Sequence, residues 1–269
     1  MYPVLMIFVR ENRIALYRAQ SNAEAMSFYS EFSNQYEEAF PLREEVIGFL
    51  RNHFPEKVSA ILDLGCGPGH YCGRFQQEGF GMMGIDLDKK MIEAARKRYP
   101  DARFECMDMN GIETVTERFE TIYSVGNVIA HITPEQLRRL LPVISKLLFP
   151  GGYWIFQIVN WDYLLTLARY TFPAKTLEGG SLTFHREYEN ISEKRVTFHT
   201  FLQSEDKLLF DERLPLYPLR SDDYLKYHSS AGFQPVGLYA DFNKKEYRKN
   251  TESGAIYVFR KKRLPSKLP

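Results

Sequence analysis

Residues 59–70, Ser-Ala-Ile-Leu-Asp-Leu-Gly-Cys-Gly-Pro-Gly-His, set a short apolar run, an acid and three alternating glycines in immediate succession. An apolar run of this length, closed by glycine, is the pattern of a strand buried on both faces. Glycines at 65, 67 and 69 let the backbone turn through conformations closed to residues with a Cβ and approach a ligand closely. The stretch that opens at His70 then offers the free N–H groups of a helix start. A strand, a glycine turn and a helix in this order read as a cofactor-binding turn. The dinucleotide fingerprint Gly-x-Gly-x-x-Gly is a different pattern: its third glycine comes one position later, and it requires no acid before the first.

The remainder of the first half repeats the alternation of apolar runs and amphipathic stretches. Helix Leu42–Phe54 precedes the glycine turn, and helix His70–Glu78 follows it. Strand Gly81–Asp86 ends in an acid about twenty residues past the glycines, where a carboxylate accepts hydrogen bonds from both hydroxyls of a ribose. Asp88 caps the next helix. Strand Ala102–Cys106 and strand Phe119–Gly126 come next. Thr133-Pro134-Glu135-Gln136 caps a helix, and Phe149-Pro150-Gly151-Gly152 turns into strand Tyr153–Asn160. This alternation predicts an α/β fold with a doubly wound, mostly parallel sheet.

Near Trp161 the pattern changes. Segments 182–190, 195–203 and 208–217 read as antiparallel strands, with residues 189–194 as a hairpin turn. Helix Ser221–Ala231 and strands Phe233–Asp241 and Ala255–Arg260 then complete the first sheet. The expected organisation is an N-terminal extension at 1–25, a main domain at 26–160 and 219–263, and an inserted antiparallel lid at 161–218. Along the lid, Arg186 and Tyr188 share one face and His185 and Glu187 the other, without a signal for which face looks inward.

The charge is balanced, with 35 Lys plus Arg against 34 Asp plus Glu, which argues against nucleic acid or an anionic membrane as partner. Cys66, Cys72 and Cys106 lack Cys-x-x-Cys spacing, so no metal site is expected and the compartment reads as reducing. The apolar start Met1–Val9 has no basic leader or small-residue cleavage site and is too short to span a bilayer, so a cytoplasmic location is expected.

The pattern Asp-x-Gly-x-Gly-x-Gly resembles motif I of class I methyltransferases that use S-adenosylmethionine. Gly126–Ile132, Phe149–Gly152, Val159–Leu164, Arg213–Pro218 and Ala240–Phe242 are similar to stretches of the glycine N-methyltransferase group and of amino-sugar N,N-dimethyltransferases. The resemblance implies a Rossmann-like methyltransferase with S-adenosylmethionine as cofactor and a small-molecule methyl acceptor, most simply an amine. It implies cofactor contacts from Asp63, Gly65, Cys66, Gly67, Asp86, Leu87, Met91 and Val125. Asp108 would take the adenine amino group and the backbone of Met109 a ring nitrogen. Tyr29 and Tyr36 match a Tyr…Phe…Tyr segment that folds over the cofactor, and Arg43 is a further partner for its carboxylate. On the acceptor side the resemblance points to Asn127, His131 and Tyr217. One position departs: relatives that methylate glycine carry an arginine where this chain has Val159, so glycine is expected to be a poor acceptor unless Arg186 reaches its carboxylate from the lid.

Methyl transfer from a sulfonium depends mainly on alignment and exclusion of water, so the absence of a catalytic triad is compatible with it. A hydroxyl or carbon acceptor would in addition need a base, for which His131 is the candidate. The competing readings are O- or C-methylation of a small molecule, methylation of tRNA, and a cofactor-binding protein without catalysis.

Overall fold

A computed structural model describes residue 32, residues 35–55 and residues 59–263. Tyr29 and the 1–25 extension lie outside the described residues. Seven strands form the main sheet: β1 (Ala60–Leu64), β2 (Gly81–Asp86), β3 (Arg103–Cys106), β4 (Phe119–Ser124) and β5 (Leu148–Val159), with β11 (Phe233–Tyr239) and β12 (Gly254–Lys261). Their order is β11-β12-β5-β4-β1-β2-β3. β1 to β5 pair in parallel, while β12 runs antiparallel to both β5 and β11.

Both faces of this sheet are covered, which is why the central strands read as unbroken apolar runs. Successive residues enter opposite layers. Ile61, Tyr123 and Ile155 pack with Phe75 and Phe104 on one side, against helices Glu44–Arg51, His70–Gln77 and Lys89–Arg98. Leu62, Ile122, Trp154 and Phe156 pack with Leu140, Ile144 and Tyr224 on the other, against helices Pro134–Leu147 and Ser221–Ser230. Helix Pro134–Leu147 starts as the sequence predicts: Gln136 N–H donates to Thr133 Oγ1, and the Gln136 side chain reaches back to the Thr133 N–H at 2.8 Å, a complete capping box.

The Phe149–Gly152 segment departs from expectation. It is not a turn before the strand but part of β5, whose register with β4 jumps from Phe119 opposite Leu148 to Thr121 opposite Tyr153. The extra residues form a bulge over Glu120. Glycine is required there, because a Cβ at Gly152 would stand 2.7 Å from the Glu120 carbonyl oxygen.

Between β5 and helix Ser221–Ser230 the chain builds a second sheet from β6 (Tyr170–Thr171), β7 (Lys175–Leu177), β8 (Leu182–Glu189), β9 (Val196–Gln203) and β10 (Leu208–Leu216). β8 is central, pairing antiparallel with β6 and β7 along one edge and with β9 along the other. The two very short strands were not foreseen, since two or three residues carry no period. Leu177, Leu182, Phe184, Phe210 and Leu214 form the apolar face of this sheet, and Phe32 packs against it.

His228 is a fully buried titratable group of the α/β core. Its ring stacks on Phe259 at 4.0 Å, Nδ1–H donates to the Tyr224 carbonyl at 2.6 Å, and Nε2 accepts from Trp154 Nε1–H at 3.0 Å. This pattern fixes the neutral tautomer, and burial pushes the pKa down to about 3. The folded pKa lies below the ordinary value of about 6.5. The unfolded chain therefore binds the extra proton below that pH, and stability falls as pH drops through the window. His228 should contribute about 2 kcal/mol of the stability lost between pH 7 and pH 5. Urea unfolding of His228→Phe should show a loss of about 1–3 kcal/mol at pH 7, where Trp154 loses its acceptor, and a flatter dependence between pH 7 and 5. An unchanged pH slope would contradict this.

Candidate active site

The glycine turn after β1 takes the strained path that its sequence predicts. Gly65, Gly67 and Gly69 have φ of 87°, 53° and 80°. A Cβ at Gly65 would meet Val128 Cγ1 at 2.5 Å. One at Gly67 would enter the space beneath the Tyr36 ring, whose Cε1 lies 3.7 Å from that point. The turn is thus open toward Tyr36 and closed toward Val128.

Asp63 lies under the turn and is 1 % exposed. Its Oδ2 is 3.6 Å from Cys72 Sγ, while the buried Oδ1 has no hydrogen-bond partner among the described residues. Burial raises its pKa to about 7, opposed by Tyr123 and Cys72 and assisted by the charge of Asp86. Cys66 is buried beside Gly84 and points its thiol at the Gly67 carbonyl.

At the end of β2, Asp86 Oδ2 accepts the Gly67 N–H at 2.8 Å and Oδ1 accepts the Asp88 N–H at 2.9 Å. Burial raises its pKa against these donors. The acid from one strand end therefore meets the glycine turn of the next. Leu87 is 36 % exposed beside it, and Asp88 caps the following helix through the Met91 N–H at 2.9 Å, with Met91 itself buried.

At the end of β3, Asp108 Oδ1 accepts from the backbone N–H and the side chain of Asn110, both at 2.8 Å, and so starts the 3-10 turn Met109–Thr114. This is the ordinary Asx arrangement. Arg43 forms an exposed ion pair with Glu45.

Beyond β4, Val125 is half-buried, and Asn127 adopts a left-handed conformation with φ 67°. Its Oδ1 accepts the Val159 N–H at 3.0 Å, and its Nδ2 donates to the Tyr188 hydroxyl at 3.3 Å. One side chain thereby ties β5 to the second sheet. His131 closes the 3-10 turn Val128–His131, and burial pushes its pKa down to about 4, so it is neutral at pH 7. Tyr217 comes to the same turn, its N–H donating to the Ala130 carbonyl at 2.8 Å. Asn127, His131 and Tyr217 therefore gather on one connection, beside the glycine turn that Val128 touches.

The inward face of the second sheet is now defined. Phe184 stacks on Phe32 at 4.4 Å, and Tyr188 contacts Asn127 and Trp161, so the Arg186 and Tyr188 face looks toward the α/β sheet. The opposite face carries a charged network. His199 lies 2.9 Å from Glu187 and 3.1 Å from Asp211, while Arg169 pairs with Glu187 and Arg213 with Asp211. Glu187, Glu189 and His199 could converge on a cation, yet arginines already neutralise these acids.

Sequence reasoning read Asn160 and Asp162 only as part of a resemblance. Asn160 is fully buried, and its Nδ2 donates to the carbonyls of Arg248, Lys249 and Glu252. Its Oδ1 accepts from Asp162 N–H and the Tyr247 hydroxyl, which also donates to Asp162 Oδ2 at 2.9 Å. The pair latches the 245–253 loop to the start of the second sheet. An asparagine just past a strand, ahead of a short helix, was the available signal.

Known proteins share parts of this sequence and its fold. Residues 61–152, from β1 to the bulge of β5, match the model of a methyltransferase domain family. A solved S-adenosylmethionine-dependent methyltransferase from Clostridium acetobutylicum has the same fold, with a TM-score of 0.71 and 17 % identity over 87 % of this chain and 99 % of that one. Among curated proteins, the chain is 26 % identical over 154 residues to dTDP-3-amino-3,4,6-trideoxy-alpha-D-glucopyranose N,N-dimethyltransferase of Streptomyces venezuelae, covering 57 % of this chain and 63 % of that protein. It is 27 % identical over 138 residues to glycine N-methyltransferase of Mus musculus, covering 45 % and 46 %. The chain thus spans about half to two thirds of the length of the curated relatives it matches.

The two bonds of Asn127 should differ in weight. Asn127→Ala leaves the Val159 N–H unpaired and puts alanine in a left-handed conformation, and should cost about 1–3 kcal/mol. Tyr188→Phe removes one neutral hydrogen bond, worth about 0.5–1.5 kcal/mol. Chemical denaturation of both variants checks the order, and a larger loss for Tyr188→Phe would reverse it.

Proposed function

We propose that this protein is an S-adenosylmethionine-dependent methyltransferase that acts on a small molecule, most simply on an amine nitrogen. The observation that carries the reading is the junction of the three left-handed glycines with Asp86. The strand ends of β1 and β2 meet there in an acid-lined cradle that a Cβ at Gly67 would begin to fill. The residues fit the cofactor. Asp86 would receive the ribose hydroxyls, Leu87 would cover the adenine, and the unpaired Oδ1 of Asp63 and the Gly65–Gly67 backbone would serve the amino-acid end beneath Tyr36. When bound, the cofactor supplies a methyl group on a sulfonium sulfur, an excellent leaving group.

The protein's part is to bind, orient and keep out water. Asn127, Tyr217 and Tyr188 are proposed to hold the acceptor against the glycine turn, with the lid formed by 161–218 over it. A neutral amine needs no base before attack. An ammonium product sheds its proton to water. O-methylation is the second reading: His131, held neutral by burial, can accept a hydrogen bond from an acceptor hydroxyl, although the same burial makes it a weak base. The named activities of the amino-sugar and glycine relatives support nitrogen as the acceptor atom.

Calorimetry should detect S-adenosylhomocysteine and no NADH, and Asp86→Ala should weaken S-adenosylhomocysteine binding by about 1–3 kcal/mol. An unchanged dissociation constant removes Asp86 from the site, and tight NADH binding removes the whole reading. Turnover of S-adenosylmethionine against amines, amino sugars, phenols and RNA then separates nitrogen from oxygen. A phenol or RNA preferred over every amine would refute N-methylation.

A further inference from the structure

The inward face of the lid carries a charge that its surroundings do not balance. Arg186 stands on β8 between Phe184 and Tyr188, with its guanidinium carbon 4.8 Å from the centre of the Phe172 ring, 5.1 Å from Phe40 and 5.7 Å from Phe184. Among the described residues it forms no ion pair, and its buried Nε has no hydrogen-bond acceptor. The other arginines that face this sheet do pair: Arg169 with Glu187, and Arg213 with Asp211. A second cation, Lys175, lies 4.7 Å from the centre of the same Phe40 ring and donates to the Ala39 carbonyl. The acids of the adjoining segments are committed elsewhere: Glu37 to Arg98, Glu178 to Gln35, and Glu38 to the Glu178 N–H.

A guanidinium half-removed from water without a counterion is costly, and aromatic faces offset only part of that cost. They also hold the plane flat, so that its N–H edge is presented as a fork suited to a carboxylate or phosphate. The position suits the site. Tyr188, which bonds Asn127, is on the same strand face about 7 Å along the strand. Tyr36, which lies above Gly67, is close enough to influence the charge of Arg186.

We propose that Arg186, with Lys175 beside it, binds an anionic group of the methyl acceptor, so that the acceptor is a small molecule bearing a carboxylate or phosphate. This rests on the methyltransferase reading above. It also gives a place to the anion for which Val159 offers no partner, on the lid instead of on β5.

The test uses the full chain saturated with S-adenosylhomocysteine, titrated with inorganic phosphate and separately with acetate, and followed by thermal melting and by the fluorescence of Trp161 beside Tyr188. The wild-type Tm should rise with at least one of the two anions, and the one that acts tells phosphate from carboxylate. Arg186→Met should raise the Tm without anion, because it removes an uncompensated charge, and should weaken the anion response at least tenfold. Arg186→Lys should keep part of the response and stands in if the methionine variant does not fold. Arg213→Met, on the outer face, should keep all of it. The affinity for S-adenosylhomocysteine should stay within twofold in Arg186→Met. An absent anion response in the wild type, or equal responses in the Arg186 and Arg213 variants, overturns the proposal. So does a tenfold loss of S-adenosylhomocysteine affinity in Arg186→Met, which would make the cofactor's own carboxylate the partner. A wild type that ignores S-adenosylhomocysteine yet responds to anion fails the methyltransferase reading instead, and the acceptor assignment with it.

Discussion

The carboxamide of Asn127 joins the two sheets of this protein. Its oxygen accepts from the end of β5 and its nitrogen donates to Tyr188 on the central strand of the second sheet. Because Asn127 is held in a left-handed conformation just after β4, and its own N–H donates to the Gln157 carbonyl at 3.2 Å, the carboxamide has little freedom to move with the second sheet. The second sheet is therefore referenced to the mouth of the parallel sheet, where the glycine turn is. A second buried asparagine, Asn160, secures the same corner from behind through the 245–253 loop. Between the two, Val159 is clamped on both sides.

The main sheet was legible because each of its parallel strands is covered on both faces and must be apolar throughout, while the connecting helices announce their starts with capping residues. Strand Gly81–Asp86 and the Thr133 capping box appear as the sequence implies. The glycine turn was legible for a stronger reason: three glycines in five residues have no purpose in a helix or strand and a clear one in a left-handed turn. What the sequence could not show were properties of tertiary pairing. Pro150, Gly151 and Gly152 are turn residues by every local rule, yet a bulge in a long strand uses the same chemistry. Period-two alternation separates the faces of β8 but is symmetric between them, so only Phe32 and Asn127 on the other side decide that Arg186 looks inward.

The chemistry at the site is one of position more than of reactive groups. His131 is kept neutral by burial, Asp63 is raised into the neutral range, and Asp86 is engaged by backbone donors. Each of these groups sits where a strand of the parallel sheet ends, which is where open α/β sheets bind ligands. The second sheet turns aromatic surface and the Arg186 guanidinium toward the α/β sheet, to which Tyr188 ties it through Asn127.

β12 lies between β5 and β11, and Ala255 to Phe259 are almost wholly excluded from solvent. The strand that fills the gap in the sheet is thus drawn from beyond the second sheet in the chain. On a ribosome, β1 to β5 emerge first with the long edge of β5 bare, and that edge stays bare until more than ninety further residues have been synthesised. A nascent chain in this state presents an unpaired apolar strand to its neighbours. When β12 arrives it covers that edge without a break from Tyr153 to Val159.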